Sequence, residues 1–205
     1  MKVLYFFFIF FSAFCFSQQN EEFKMVKNYY NQHRSMLNQE FKKKFDAEKN
    51  NVIKTSIKQD FLFFMKKMDS IENVALTGAL LKVKNLEDLS KINAKFISSS
   101  SAVSHTTTDQ EANYPGGINT LRQQVARLFY GDGVYSETGN IKAIVVFVVE
   151  KDGSISNVQA DSENFTFNRQ AEIALYSVPD KFSPASVNGN PVRFRYKLPL
   201  AFNLK

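Results

Sequence analysis

Cysteine is nearly absent from this chain, with one in 205 residues, Cys15. A single thiol excludes an intramolecular disulfide framework. The two histidines, His33 and His105, lie far apart and cannot by themselves supply an ordinary zinc site. Tryptophan is missing. All five prolines fall from Pro115 onward, so the first half holds no stiff Pro-rich spacer. The hydrolase, nucleotide and metalloprotease signatures G-x-S-x-G, Walker A and H-E-x-x-H are also missing. No catalytic residue, metal ligand or cofactor is therefore assigned, and enzyme activity is not expected. Charge of one sign is only mildly in excess: 26 Lys and Arg against 20 Asp and Glu. The basic residues are dispersed, apart from Lys42-Lys43-Lys44, which reads as a solvated helix face.

The longest apolar run comes first. Met1-Lys2 is a positive start, and Val3–Phe16 is apolar except for Ser12. That run is shorter than the ~20 residues of a comfortable spanning helix, and it matches the h-region of a secretory signal. Cys15 and Ser17 are small residues at −3 and −1 for cleavage before Gln18. Two rivals are an uncleaved membrane anchor and acylation of Cys15. The length of the run disfavours the first, and bulky Phe14 before the cysteine disfavours the second. The expected location is outside the cytoplasm, in the periplasm. Export argues against nucleic acid as the partner of a basic chain.

The segment 18–97 reads as helical. Phe23, Val26, Tyr30, Leu37, Phe41 and Phe45 draw one stripe. Ile53, Ile57, Phe61, Phe64, Met68 and Ile71 draw a second, at steps of three and four. Two such stripes pack most simply as an αα-hairpin. Val74–Val83 contains Gly78 and is less sharply helical, and Leu86, Leu89 and Ile92 suggest a last short helix. No sustained heptad pattern runs across the whole region. Residues 98–113 are rich in Ser and Thr and read as a linker.

Residues 114–205 carry the informative pattern. Tyr114-Pro115-Gly116-Gly117 precedes a helix marked by Ile118, Leu121, Val125 and Leu128. Ile141–Glu150 is a strand with apolar residues at both parities, which predicts cover on both faces in its middle. Glu150 is expected to face solvent. Asp152-Gly153 is a tight hairpin turn, and Ile155–Ala160 returns out of phase, which predicts a bulge. Asn168 is the expected N-cap of the next helix, with Ala171, Ala174, Leu175 and Val178 buried, and Pro179 stops it. Asn188-Gly189 is a second turn pair. Val192, Phe194, Tyr196, Leu198, Leu200 and Phe202 then alternate with Arg193, Arg195 and Lys197. This predicts one long strand with one buried face. Pro199 has no N–H to donate, which marks it as an edge strand beside Ile141–Glu150.

The expected fold is α+β: a small α-β-β-α-β domain with a three-stranded antiparallel sheet, preceded by an N-terminal helical region. In order, Tyr114–Gly117, Phe147–Ile155, Pro179–Pro184, Asn188–Arg193, Leu198-Pro199 and Phe202 resemble the C-terminal domain of TonB-type energy transducers. Phe182 stands where that family usually has a Trp, which keeps the aromatic bulk. The resemblance implies binding of an outer-membrane receptor or other envelope protein, in a transport setting. An extended peptide of that partner would add to the edge strand. The residues so implicated are Val192, Arg193, Phe194, Arg195, Tyr196, Lys197 and Leu198. The three cations among them suit an acidic partner, or are simply a solvated face that guards the edge. The alternative function is structural: a self-associating envelope protein whose edge strand pairs with a second copy as a homodimer.

Overall fold

The computed structural model describes residues 18–97, 109–135 and 139–203. The expected signal segment and Cys15 lie outside the described residues, as do His105 and most of the Ser/Thr-rich stretch. Two long helices come first, α1 (Gln18–Ala47) and α2 (Asn51–Ile97). Asn50 separates them, and its side chain accepts from the Val52 N–H at 2.8 Å, a cap for α2. Then follow α3 (Gly117–Leu128), a 3-10 turn at Gly131–Gly133, β1 (Asn140–Val149), β2 (Ile155–Asp161), α4 (Phe165–Tyr176), β3 (Ala185–Val187), β4 (Asn190–Val192) and β5 (Phe194–Asn203).

α1 and α2 form the expected antiparallel hairpin. Phe41 meets Phe61 at 5.2 Å between ring centres. Arg34 on α1 holds Asp69 at 2.6 Å and also Glu72, and Lys27 reaches Glu72 at 3.0 Å. Burial opposes the charge on Arg34, but its bonds to Glu72 and Asp69 win and raise its pKa. Gly78 interrupts nothing: α2 is one helix from Asn51 to Ile97, and Leu86, Leu89 and Ile92 belong to it rather than to a separate short helix. The second stripe also needs correction. Ile57 and Met68 are buried, whereas Ile53, Phe64 and Ile71 are exposed. Past Met68 the buried side chains are Glu72, Leu76, Ala79, Leu80, Val83 and Glu87, so the inner face drifts round the helix.

The sheet order is β2-β1-β5, antiparallel throughout. Its inner face carries Ile141, Ala143, Val145, Phe147 and Val149 from β1, and Leu198 and Leu200 from β5. α3 and α4 supply Leu121, Val125, Phe167, Ala171 and Leu175 to the same core. Phe23, Leu76, Leu80 and Val83 of the hairpin join that core as well, with Phe23 stacked on Tyr176 at 5.3 Å. The expectation for the outer face of β1 fails: Ile144 is exposed, and Val146 and Val148 are only half-buried. Their neighbours across the strands are Pro199, Lys197 and Arg195. On the other side the same residues stand opposite Asp161, Gln159 and Ser156 of β2, so this face is bordered mostly by polar side chains.

The predicted bulge is present. The β1–β2 register shifts between Val146 and Val148, opposite Asn157, which sits at φ 52. The cap of α4 is Asn164, not Asn168: Asn164 Oδ1 accepts from the Phe167 N–H at 2.8 Å. Asn168 lies in the first turn and instead bonds Ser162, accepting its hydroxyl at 2.6 Å. After α4 the chain crosses over the Asp152-Gly153 turn, where the Phe182 N–H donates to the Gly153 carbonyl at 2.9 Å. Phe182 itself is buried against Tyr114, Phe147 and Tyr196. The last strand is split. Asn190–Val192 turns back on Ala185–Val187 as a separate two-stranded hairpin, and only Phe194–Asn203 joins the main sheet. Residues 109–113 are tied to this hairpin by backbone bonds from Asp109 and Gln110 to Ser186 and from Asn113 to Ser183.

Candidate functional site: the two edges of the sheet

A three-stranded sheet has two edges, and here they differ. Beyond β2, three backbone N–H groups are taken by side chains. Asn157 donates to Glu87 Oε1 at 2.8 Å, Val158 to the Tyr176 hydroxyl at 3.1 Å, and Ala160 to Glu172 Oε1 at 3.0 Å. The network is closed: Tyr176 also donates to Glu87 Oε1 at 2.7 Å, and Lys84 pairs with Glu172 at 2.7 Å. Glu87, Glu172 and Tyr176 are all buried. Burial first, and the Glu87 charge second, push the Tyr176 phenol pKa well up, so this hydroxyl remains a donor at neutral pH. Glu87 comes from α2, and Glu172 and Tyr176 come from α4, so both helices seal this edge.

Beyond β5 no strand follows among the described residues. β5 pairs with β1 over its whole length, from Phe194 opposite Val149 to Asn203 opposite Asn140. Its inward side chains grade from buried to half-covered. Leu198 and Leu200 are sealed, whereas Phe194, Tyr196 and Phe202 are half-buried. Tyr196 stacks on Phe147 at 5.2 Å, and Phe202 on Phe129 at 4.2 Å. Arg195, Lys197, Pro199 and Ala201 point to the solvent side. Neither Arg195 nor Lys197 has an ion-pair partner among the described residues. Near the far end of β5, an open groove of about 950 Å³ is lined by Arg122, Ala126, Ile144, Pro199, Ala201 and Phe202.

Five of the seven residues implicated from the sequence lie on this edge strand: Phe194, Arg195, Tyr196, Lys197 and Leu198. The other two do not. Val192 pairs with Ala185 in the small hairpin. Arg193 sits between the strands and makes a two-pronged bond to Glu150, with both N···O distances 2.8 Å. Glu150 is therefore not a solvent-facing strand end; it also accepts from the Ser156 hydroxyl at 2.5 Å. Leu198 is fully buried, so its side chain offers nothing to a partner at the edge. Glu87, Glu172 and Tyr176 had no sequence signal. They bond strand N–H groups in tertiary contacts, which no local spacing encodes.

Residues 139–204 match the family described as Gram-negative bacterial TonB protein C-terminal. The match covers a segment of the chain, which contains the whole β1–β5 arrangement. This family is one of non-catalytic energy-transducer modules, periplasmic in general, that bind outer-membrane receptors. No curated protein and no solved structure matches the chain. Among the described residues, no helix is long and apolar enough to cross a membrane.

Proposed function

We propose that this chain is an exported protein-binding module that captures an extended segment of an envelope or outer-membrane protein along β5. The observation that carries the reading is the asymmetry of the sheet. One edge is sealed by buried side chains from α2 and α4, and the other ends on β5 with half-covered aromatic rings. A strand laid beside β5 would gain main-chain hydrogen bonds and cover Phe194 and Tyr196. On the solvent side it would run beside Arg195 and Lys197, which favour acidic residues at alternate positions. The preferred segment is therefore extended, with apolar and acidic residues in alternation. Arg193 takes no part, because Glu150 already neutralises it.

The test is an amide NMR titration of the full chain with synthetic peptides from the N-terminal segments of outer-membrane receptors. The expected result is saturable shifts confined to β5 and to the facing residues of β1. Arg195→Glu with Lys197→Glu should weaken binding by about tenfold or more without loss of stability, since both side chains are exposed. No shifts at high peptide excess, with the β5 amides already protected from exchange, would refute capture. That outcome would point to an edge closed by another copy.

A further inference from the structure

Where the helical hairpin meets the sheet domain, α1, α2, α4 and the C-terminal end of α3 line a cavity of about 370 Å³. That is room for a small organic molecule. Leu76, Phe129 and Ile173 give it apolar walls, and Glu72, Arg127 and Gln170 give it polar ones. Gln170 is 4 % exposed. Its Nε2 donates to Asn73 Oδ1 at 2.8 Å, but its Oε1 has no hydrogen-bond partner. The backbone at Gly133 lies against that Nε2, where an added Cβ would come within 2.8 Å, so this end of the amide is hemmed in. Leaving a buried acceptor unpaired is costly, and nothing else in the chain uses this one.

The charges around the cavity decide what suits it. Glu72 and Asp69 are matched by Lys27 and Arg34, so that cluster is neutral overall. A charged group beside it would lack a counterion, whereas a neutral donor would meet the free acceptor of Gln170. Arg127 lines the exposed side of the cavity and has no ion pair among the described residues. It leaves one positive charge in excess. We propose that the cavity binds a small monoanion with an N–H or O–H donor beside its carboxylate, the pattern shared by N-acyl amino acids and hydroxy acids. The donor satisfies Gln170 Oε1, and the carboxylate takes a two-pronged bond from Arg127. A lone water would answer Gln170 but not Arg127. Both the hairpin and the sheet domain contribute walls, so the bound molecule braces their junction. The cavity uses neither edge of the sheet, and the proposal is independent of strand capture at β5.

The test is an NMR titration of the full chain with N-acetylglycine, glycolate and acetate, read at the side-chain amides of Gln170 and Asn73. Acetate has the carboxylate but no adjacent donor. The expected result is saturable shifts with N-acetylglycine or glycolate, at least about tenfold tighter than with acetate. The tighter of the two names the donor as amide or hydroxyl. Arg127→Ala should weaken that binding by about tenfold or more, with an unchanged thermal midpoint because the position is exposed. Gln170→Met should erase the preference over acetate. Should that variant fail to fold, the acetate comparison and Arg127→Ala still decide. No saturable shift with N-acetylglycine or glycolate at tens of millimolar would overturn the proposal and leave a water-filled cavity. Equal affinity for acetate would overturn it too, as would full affinity in Arg127→Ala.

Discussion

Glu87→Ala is the most informative single change in this fold. Glu87 is 4 % exposed and lies on α2, yet it serves β2, seventy residues away. One carboxylate oxygen accepts both from the Asn157 N–H at 2.8 Å and from the Tyr176 hydroxyl at 2.7 Å. Truncation removes the acceptor from two donors at once. An orphaned buried donor costs about 1–3 kcal/mol. The desolvation of the carboxylate, an unfavourable term in the wild type, is relieved by the same change. The net loss should be about 3 kcal/mol. Glu87→Gln keeps a carbonyl acceptor and should cost about 1 kcal/mol. The assay is urea unfolding with amide exchange on the same samples. Besides the drop in midpoint, Asn157 and Val158 should lose protection selectively, because the cap on that edge is gone. Water entry that rescues both donors would show as a cost below about 1 kcal/mol with the Asn157 amide still protected. That result would refute the claim that α2 helps to seal the β2 edge.

Two further outcomes test other parts of the fold. Gly153→Ala should destabilise by at least about 2 kcal/mol: φ is +79°, and the added Cβ would lie 2.0 Å from the Phe182 carbonyl oxygen, which is backbone. Thermal unfolding reads this directly, and a neutral variant would mean the turn does not support the crossing. At alkaline pH the buried phenols set the limit. Burial first, then Asp180, pushes Tyr114 up to about 12, and Tyr176 is raised as well. For a group whose folded pKa is raised, stability is whole below the unfolded value, about 10 for tyrosine, and falls as pH rises through the folded one. Denaturant midpoints should therefore be flat up to about pH 10 and decline beyond it. Tyr176→Phe should show a shallower decline, and an equal slope in that variant would count against a buried neutral phenol.

Much of the sheet was legible in the sequence because period-two alternation is a local signal. It marks β5 and its inward residues, and the out-of-phase Ile155 and Val158 mark the bulge. The Asp-Gly turn and the α3 stripe were likewise readable from spacing. The α2 stripe was not, for a geometric reason. Early in the helix the inner residues Ile57 and Met68 and the outer residues Phe64 and Ile71 lie side by side, so one list of apolar positions merged two faces. Only the tertiary contacts separate them. Alternation also continues unbroken through Val192 and Arg193, although the chain leaves one hairpin for another sheet there. The Arg193–Glu150 bond joins that junction to the end of β1, forty-three residues back, which no local pattern could announce. Asn168 as the expected cap failed for a similar reason, since Asn164 caps the helix and Ser162 binds Asn168. The candidate edge was thus visible as a strand, and the sealing of its opposite number was not.

Sealing β2 also sets the valence of the sheet. A protein with two open edges is bifunctional: each strand it accepts leaves another edge to grow from, and chains of sheets can follow. With Glu87, Tyr176 and Glu172 holding the β2 amides, sheet pairing is monofunctional. A strand added at β5 would extend the sheet on that side alone. Such a molecule can present a strand-accepting edge continuously in a crowded compartment without seeding a fibre.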